Sequence, residues 1–199
     1  MIQELARKSP QLFEREIAGA ILLNTTYTNP LRTMVLRRWV SALQKPVLEP
    51  MCYLTILLQP LAWLNDWQSY LSGSAHLANR FQFGKDVTRR QLEHTTLLAT
   101  RNPPAALAKS TLGMFRWQGL SVDHMGVPTL IIGGDIDIVT KAEASRAIKA
   151  KLADSRLKIM GSSNHMGVVE QWNEYRGAIT DFAKTVTQTA EEPLKSPVQ

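Results

Sequence analysis

The sequence predicts an α/β fold: about three parallel strands flanked by helices, with a helical segment inserted between two of them. Two apolar runs carry the first part of that expectation. Ile17–Leu23 and Val127–Ile132 are short, continuous and mostly aliphatic, the pattern of strands buried on both faces of a parallel sheet. A third short run, Arg156–Met160, follows a stretch with helical spacing. That makes a strand–helix–strand unit, whose crossover leaves its two strands parallel.

In chain order, Ile2, Leu5 and Ala6 share one face of a helix already under way at Met1, and Pro10 is expected to end it. Ala18, Gly19 and Ala20 keep the next strand slim enough for a helix to pack closely, and Asn24-Thr25-Thr26 turns the chain at its far end. Leu31, Val35, Arg38 and Trp39 predict a helix closed before Pro46. Met51–Leu58 and Leu61–Leu71 predict two more, separated by Pro60, with Trp63 and Trp67 one turn apart on a shared face. Gly73, Gly84 and Pro103-Pro104 mark breaks, and Val87–Thr100 and Ala105–Trp117 predict the last helices of the insertion. Residues 30–118 are thus expected to form a helical cap, and residues 1–29 with 119–187 a partial α/β core.

Thr140-x-x-Glu143 reads as a capping box opening a helix whose Ala144, Ile148 and Leu152 face one way. Val168, Trp172, Tyr175, Ile179, Phe182 and Val186 step by fours and threes, as one amphipathic helix laid over a sheet does. Glu191-Glu192-Pro193 opens a polar end, and residues 188–199 are expected to be a disordered tail.

The chain has 199 residues, 44% hydrophobic and 20% charged, enough for one domain with a sizeable core. A net charge of +6 and a pI near 9.6 raise nucleic acid and anionic membranes as partners. The basic residues are spread, however, with only pairs such as Arg37-Arg38 and Arg89-Arg90, so nucleic acid is not expected. Cys52 is the only cysteine; it excludes an internal disulfide and reads as a packed thiol. The start carries no signal-peptide core, and the longest apolar region, Tyr53–Leu64, is interrupted by Gln59-Pro60. It is too short to cross a bilayer, so no transmembrane segment is expected and cytoplasm is the default location. His76, His94 and His124 show no metal-ligand spacing and no Gly-x-Gly-x-x-Gly occurs, so neither a metal nor an organic cofactor is expected.

The chemistry gathers at two strand ends. Gly133-Gly134 closes the run at Ile132, Asp135 and Asp137 follow, and Gly161-Ser162-Ser163-Asn164 leads from Met160 to His165. Asp137 and His165 are 28 residues apart (165 − 137). Neighbouring strand tips nevertheless lie only about 5 Å apart. A carboxylate on one ring nitrogen fixes the tautomer and leaves the other nitrogen free as a base. Open α/β sheets hold their sites at this edge. Asp135 competes for the acid role, although it could instead accept turn hydrogen bonds.

Val-Pro-Thr-Leu-Ile-Ile-Gly-Gly-Asp-Ile-Asp at 127–137, followed by Asn-His-Met-Gly at 164–167, resembles the C-terminal half of an α/β-hydrolase. The resemblance runs over about residues 1–185. It implies that Asp137, closing Gly134-x-x-Asp137, is the acid of a catalytic triad and that His165 is its histidine. It also implies a serine in a Gly-x-Ser-x-Gly elbow. No such elbow occurs, and Met1-Ile2-Gln3 lines up with residues directly after one. The expectation is therefore a chain without its nucleophile, truncated or a fragment, and inactive alone. An aspartate nucleophile, as in the dehalogenases and epoxide hydrolases of the family, stays open.

On the same resemblance the cap roofs a pocket bounded by Asn24, Trp63, Trp67 and Met166, and the reaction is hydrolysis of an ester or thioester. The substrate would be a small, apolar, acyl-type molecule. In the alternative, Trp63, Trp67, Phe81 and Trp117 only fill the core of the cap. A competing function is a non-catalytic binding or regulatory protein with a hydrolase-like half-fold, offering the apolar edge of Ile17–Leu23 to a partner. The oligomeric state is not legible in the sequence.

Overall fold

The computed structural model describes residues 2–117, 119 and 125–191. His124 and residues 192–199 of the expected tail lie outside the described residues. Two short helices, Ile2–Lys8 (α1) and Pro10–Glu16 (α2), precede the first strand, Ala20–Leu23 (β1). Pro10 thus opens a second helix where only an end was expected. Proline lacks an N–H and has φ preset for a helix, so it suits a first turn, where that donor has no intrahelical partner anyway.

The insertion follows β1. A 3-10 turn at Pro30–Arg32 leads to Arg37–Leu43 (α3), a π turn at Gln44–Leu48, and Glu49–Leu57 (α4). Pro46 does not stop the helical path, contrary to expectation. The widened π turn carries it past a residue that could not have joined the i→i−4 ladder. Gln59–Ser72 (α5) then leaves at 103° to the 37–57 stretch, with Pro60 in its first turn. Gly73 ends α5 at φ 84, a left-handed conformation that glycine adopts freely. Ser74–Arg80 (α6), Arg89–Arg101 (α7) and Pro104–Arg116 (α8) complete the insertion, and Thr88 with Gln91 forms a full capping box on α7. Trp63 and Phe81 are exposed, so they do not fill a core of the insertion; Trp67 and Trp117 are half-buried.

Thr129–Gly134 (β2), Ala142–Lys151 (α9) and Ser155–Met160 (β3) form the expected strand–helix–strand unit. The sheet order is β1-β2-β3 and both pairings are parallel, with Ala20 against Thr129 and Thr129 against Ser155. Among the described residues β1 pairs only with β2, so it is an edge rather than an interior strand. It is also shorter than Ile17–Leu23. Pairing starts where the Ala20 N–H meets the Pro128 carbonyl at 2.9 Å.

After β3 come Gly167–Glu170 (α10) and Trp172–Glu191 (α11). Trp172 is exposed at the start of α11, outside the buried stripe it was assigned to. The break at Gln171 resets the helical phase. α11 also continues through residues 188–191, which were expected in the tail.

Helices pack on both faces of the sheet. Along β2, Ile131 points one way and Leu130 and Ile132 the other, the two-residue period of a strand. Ile131 joins Ala6, Phe13, Leu22 and Ile148, which brings α1, α2 and α9 to one face. Leu130 and Ile132 join Tyr175 and Phe182 of α11 on the other. Gly19 fits against this layer because a Cβ there would press on Val186 at 3.2 Å.

Candidate active site

The carboxyl ends of the three strands finish side by side, and the loops after β2 and β3 meet there. They cross so closely that a Cβ on Gly134 would overlap the Ser163 carbonyl, so only glycine fits. Asp135 holds the crossing from below: its Oδ1 accepts the Ser163 N–H at 3.0 Å. That contact fits the turn role weighed for it, and the imidazole is held by Asp137 instead.

Asp137 and His165 are together. The distance from His165 Nδ1 to Asp137 Oδ2 is 3.1 Å, with the Asp137 side chain wholly buried and His165 26% exposed. Asp137 Oδ1 accepts the N–H groups of Val139 at 2.7 Å and Thr140 at 2.8 Å. Oδ2 accepts the Thr140 hydroxyl at 2.9 Å besides facing the imidazole. A buried carboxylate is tolerable only with such donors around it. Thr140 was expected to cap α9 but is turned to the acid instead, and α9 starts from Lys141 without a side-chain cap. Because a carboxylate only accepts, Nδ1 carries the proton, and the lone pair of Nε2 is left free.

Beneath the histidine, Asn164 bridges three segments. Its Oδ1 accepts the N–H of Ile138 at 3.1 Å and of His165 at 2.8 Å. Its Nδ2 donates to the carbonyls of Phe81 at 2.9 Å and Phe83 at 3.1 Å, tying the α6–α7 loop to the histidine loop. Glu170 makes a second tie, accepting the N–H of Gly84 at 2.6 Å and of Asp86 at 2.7 Å. Asn24, at the tip of β1, sits at φ 39 and donates from Nδ2 to the carbonyls of Asn164 at 3.0 Å and His165 at 2.7 Å. Its Oδ1 accepts the Tyr175 hydroxyl at 3.1 Å, and that hydroxyl also meets Ser163 Oγ at 2.9 Å. Burial pushes the Tyr175 phenol above its ordinary value, against the opposing pull of the Ser163 and Asn24 hydrogen bonds.

His165 lines an open cavity of about 1430 Å³, whose walls also include Gln3, Asn24, Thr26 and Thr140, and Gly113 and Met114 of α8. Of the residues expected to bound a pocket, Asn24 lines this cavity, but its amide is committed to the histidine loop. Trp63, Trp67 and Met166 do not line it. Trp63 Nε1 donates to the Thr100 carbonyl at 3.1 Å, and Trp67 packs edge-on to Tyr70. Thr140, Asn164 and Tyr175 are the site residues that the sequence reading missed. Thr140 alone left a trace, three residues after Asp137, where a hydroxyl reaches back to a turn carboxylate. His76 pairs with Glu93 at 2.8 Å on the insertion, and no group of three or more metal-ligand side chains occurs among the described residues.

No protein-family profile matches the chain, and no curated protein matches it significantly. Solved structures do match. A thermophilic esterase from Thermogutta terrifontis superposes with a TM-score of 0.62 at 19% identity, over 92% of this chain and 60% of its own. A hydrolase from Pseudomonas aeruginosa gives 0.63 at 21% identity, over 91% of this chain and 59% of its own. A membrane phospholipase A gives 0.59 at 17%, over 94% and 55%. The chain has the α/β-hydrolase fold. It spans about 60% of the length of the first of these structures. Asp137 and His165 stand at the carboxyl edge of that fold's sheet, after adjacent strands.

Proposed function

We propose that the chain supplies the acid and histidine of an acyl-hydrolase site, cleaving esters or thioesters of apolar acyl groups. One observation carries the reading: the buried, fully donated Asp137 carboxylate holds His165 by Nδ1, and His165 lines a large cavity. In the reaction, Nε2 takes the proton of a hydroxyl as its oxygen attacks the acyl carbon, and then gives that proton to the departing alkoxide or thiolate. A water, deprotonated by the same nitrogen, releases the acid and returns the proton to the hydroxyl. Asp137 orients the imidazole and stabilises its charged form while it holds the proton. Residues 30–118 act as the cap, with α8 lining the cavity that His165 also lines.

Among the described residues no hydroxyl or thiol hydrogen-bonds Nε2, so this reading places the attacking group on polypeptide beyond them. The chain by itself is then unreactive to a fluorophosphonate probe and inert toward p-nitrophenyl esters. Labelling of the chain alone at a serine would contradict this. A fusion of the N-terminal part of the Thermogutta terrifontis esterase, through its nucleophile, ahead of Ile2 tests the positive side. Ester turnover in the fusion, lost in His165→Ala and sharply reduced in Asp137→Asn, supports the reading. Turnover in the folded fusion that survives His165→Ala refutes it. A second reading, a non-catalytic protein whose partner pairs with β1, is favoured by the open edge of that strand. It predicts a stable complex on size-exclusion chromatography and turnover in neither form.

A further inference from the structure

Four consecutive helices of the insertion hold no fully buried side chain, although α4 packs on α8 and α5 on α7. α3, α4, α5 and α6 contain no buried residue, although much of their sequence is aliphatic or aromatic. Trp39, Leu43, Val47, Met51, Leu54 and Leu57 follow one another at steps of four and three, which sets them in one stripe along the stretch 37–57. All six are exposed, Trp39 at 75% and Leu57 at 77%. The stripe runs into the 103° corner before α5, where Leu58, Leu61 and Leu64 are exposed as well. Single apolar side chains are ordinary on a protein surface, but a contiguous patch of this size marks a contact with something else.

Charge narrows what that contact is. The exposed charges between residues 30 and 72 are Arg32, Arg37, Arg38 and Lys45, all positive. The two carboxylates of the same stretch, Glu49 and Asp66, are half-buried, and Glu49 accepts a hydrogen bond from Gln44 at 2.8 Å. Arg37 and Arg38 stand in the first turn of α3, which holds no acidic residue, and neither forms an ion pair with a described residue although Glu143 lines the same shallow pocket. The helix dipole disfavours cations there, so helix stability does not explain them. A second copy presenting the same face would set these cations against each other. A layer of anionic lipid headgroups matches both the apolar stripe and its basic rim. No single described helix is long and apolar enough to cross a membrane; the 37–57 and 59–72 pair is apolar enough taken together, but its 103° bend and the exposed Arg37, Arg38 and Lys45 suit a pair lying along a surface.

We propose that the α3–α5 face docks on an anionic lipid surface, with Trp39 and the Leu57–Leu64 corner in the headgroup–acyl boundary and Arg37 and Arg38 on the phosphates. This goes beyond the hydrolase reading and does not depend on it. Flotation of the purified chain with phosphatidylcholine vesicles, with and without phosphatidylglycerol, tests it. The chain floats with the anionic vesicles, far less with the neutral ones, and salt releases it. Arg37→Ala/Arg38→Ala weakens partition to the anionic vesicles by about thirty-fold. Leu57→Asp/Leu61→Asp abolishes it with circular dichroism unchanged, since both positions are exposed, and His165→Ala leaves it intact. Failure to float with anionic vesicles, equal flotation with both kinds, or flotation of Leu57→Asp/Leu61→Asp overturns the proposal. So does a dimer that does not bind vesicles and that Leu57→Asp/Leu61→Asp converts to monomer, because the face then belongs to a second copy.

Discussion

Replacing Asn24 by alanine tests how the fold holds the histidine loop. The side chain makes three hydrogen bonds: to the carbonyls of Asn164 and His165 and from the Tyr175 hydroxyl. Two of the three partners keep another contact, because Gly167 N–H still reaches the Asn164 carbonyl and Ser163 still meets Tyr175. Only the His165 carbonyl loses its partner outright. At about 1 kcal/mol net per hydrogen bond, cushioned by those remaining contacts, the loss is about 2 kcal/mol. Asn24 also sits at φ 39, where asparagine is tolerated and alanine costs about 1 kcal/mol more. The total is about 3 kcal/mol, read as a lower urea midpoint at unchanged slope. In thermal unfolding it corresponds to a melting temperature lower by about 6–12 °C. Asn24→Asp should be worse at neutral pH, because it sets a buried carboxylate against two carbonyl oxygens. A change below about 0.5 kcal/mol in Asn24→Ala, the size of an ordinary surface substitution, would refute the reasoning.

Three other substitutions probe the same region. Gly134→Ala drives a Cβ into the Ser163 carbonyl and should cost about 3 kcal/mol or prevent folding, measured by denaturant melts; near-neutral behaviour would mean that the loops can part cheaply. Tyr175→Phe should cost about 1 kcal/mol at pH 7 through the lost hydroxyl contacts. Its pH dependence has a definite sign. The folded phenol titrates above its ordinary value of 10.0, so its contribution is complete below that pH and is lost as pH rises through the folded value. The gap between wild type and Tyr175→Phe should therefore shrink in alkali, and a gap that stays constant counts against the buried phenol. Glu170→Ala frees the amides of Gly84 and Asp86, which should exchange hydrogen faster by about tenfold; unchanged exchange would show that other contacts hold this loop.

Much of this protein was legible in the chain because the signals are local. The aliphatic runs of β1 and β2 and the helix spacing of Ala144 and Ile148 report their own burial, and the three strands pair in parallel as read. Asp137 and His165 were legible for a second reason. Each stands just past the end of its own strand, so the pairing of β2 with β3 brings them together whatever the intervening sequence. Position along an element is a local fact with a long-range consequence.

What tertiary structure decided has no local period. Asn24 meets His165 across 141 residues and Tyr175 across 151, and nothing near any of the three announces the contact. Thr140 carried a capping-box spacing, but the buried carboxylate of Asp137 competed for its hydroxyl and won. The apolar spacing of α3–α5 announced helices without saying which faces would be covered, and packing left Trp39 and Leu57 in the open. Hydrophobic pattern and chain position determine where elements form and which ends they share. Hydrogen bonds between distant segments, and the burial of one face rather than another, depend on which elements become neighbours, and only the assembled fold decides that.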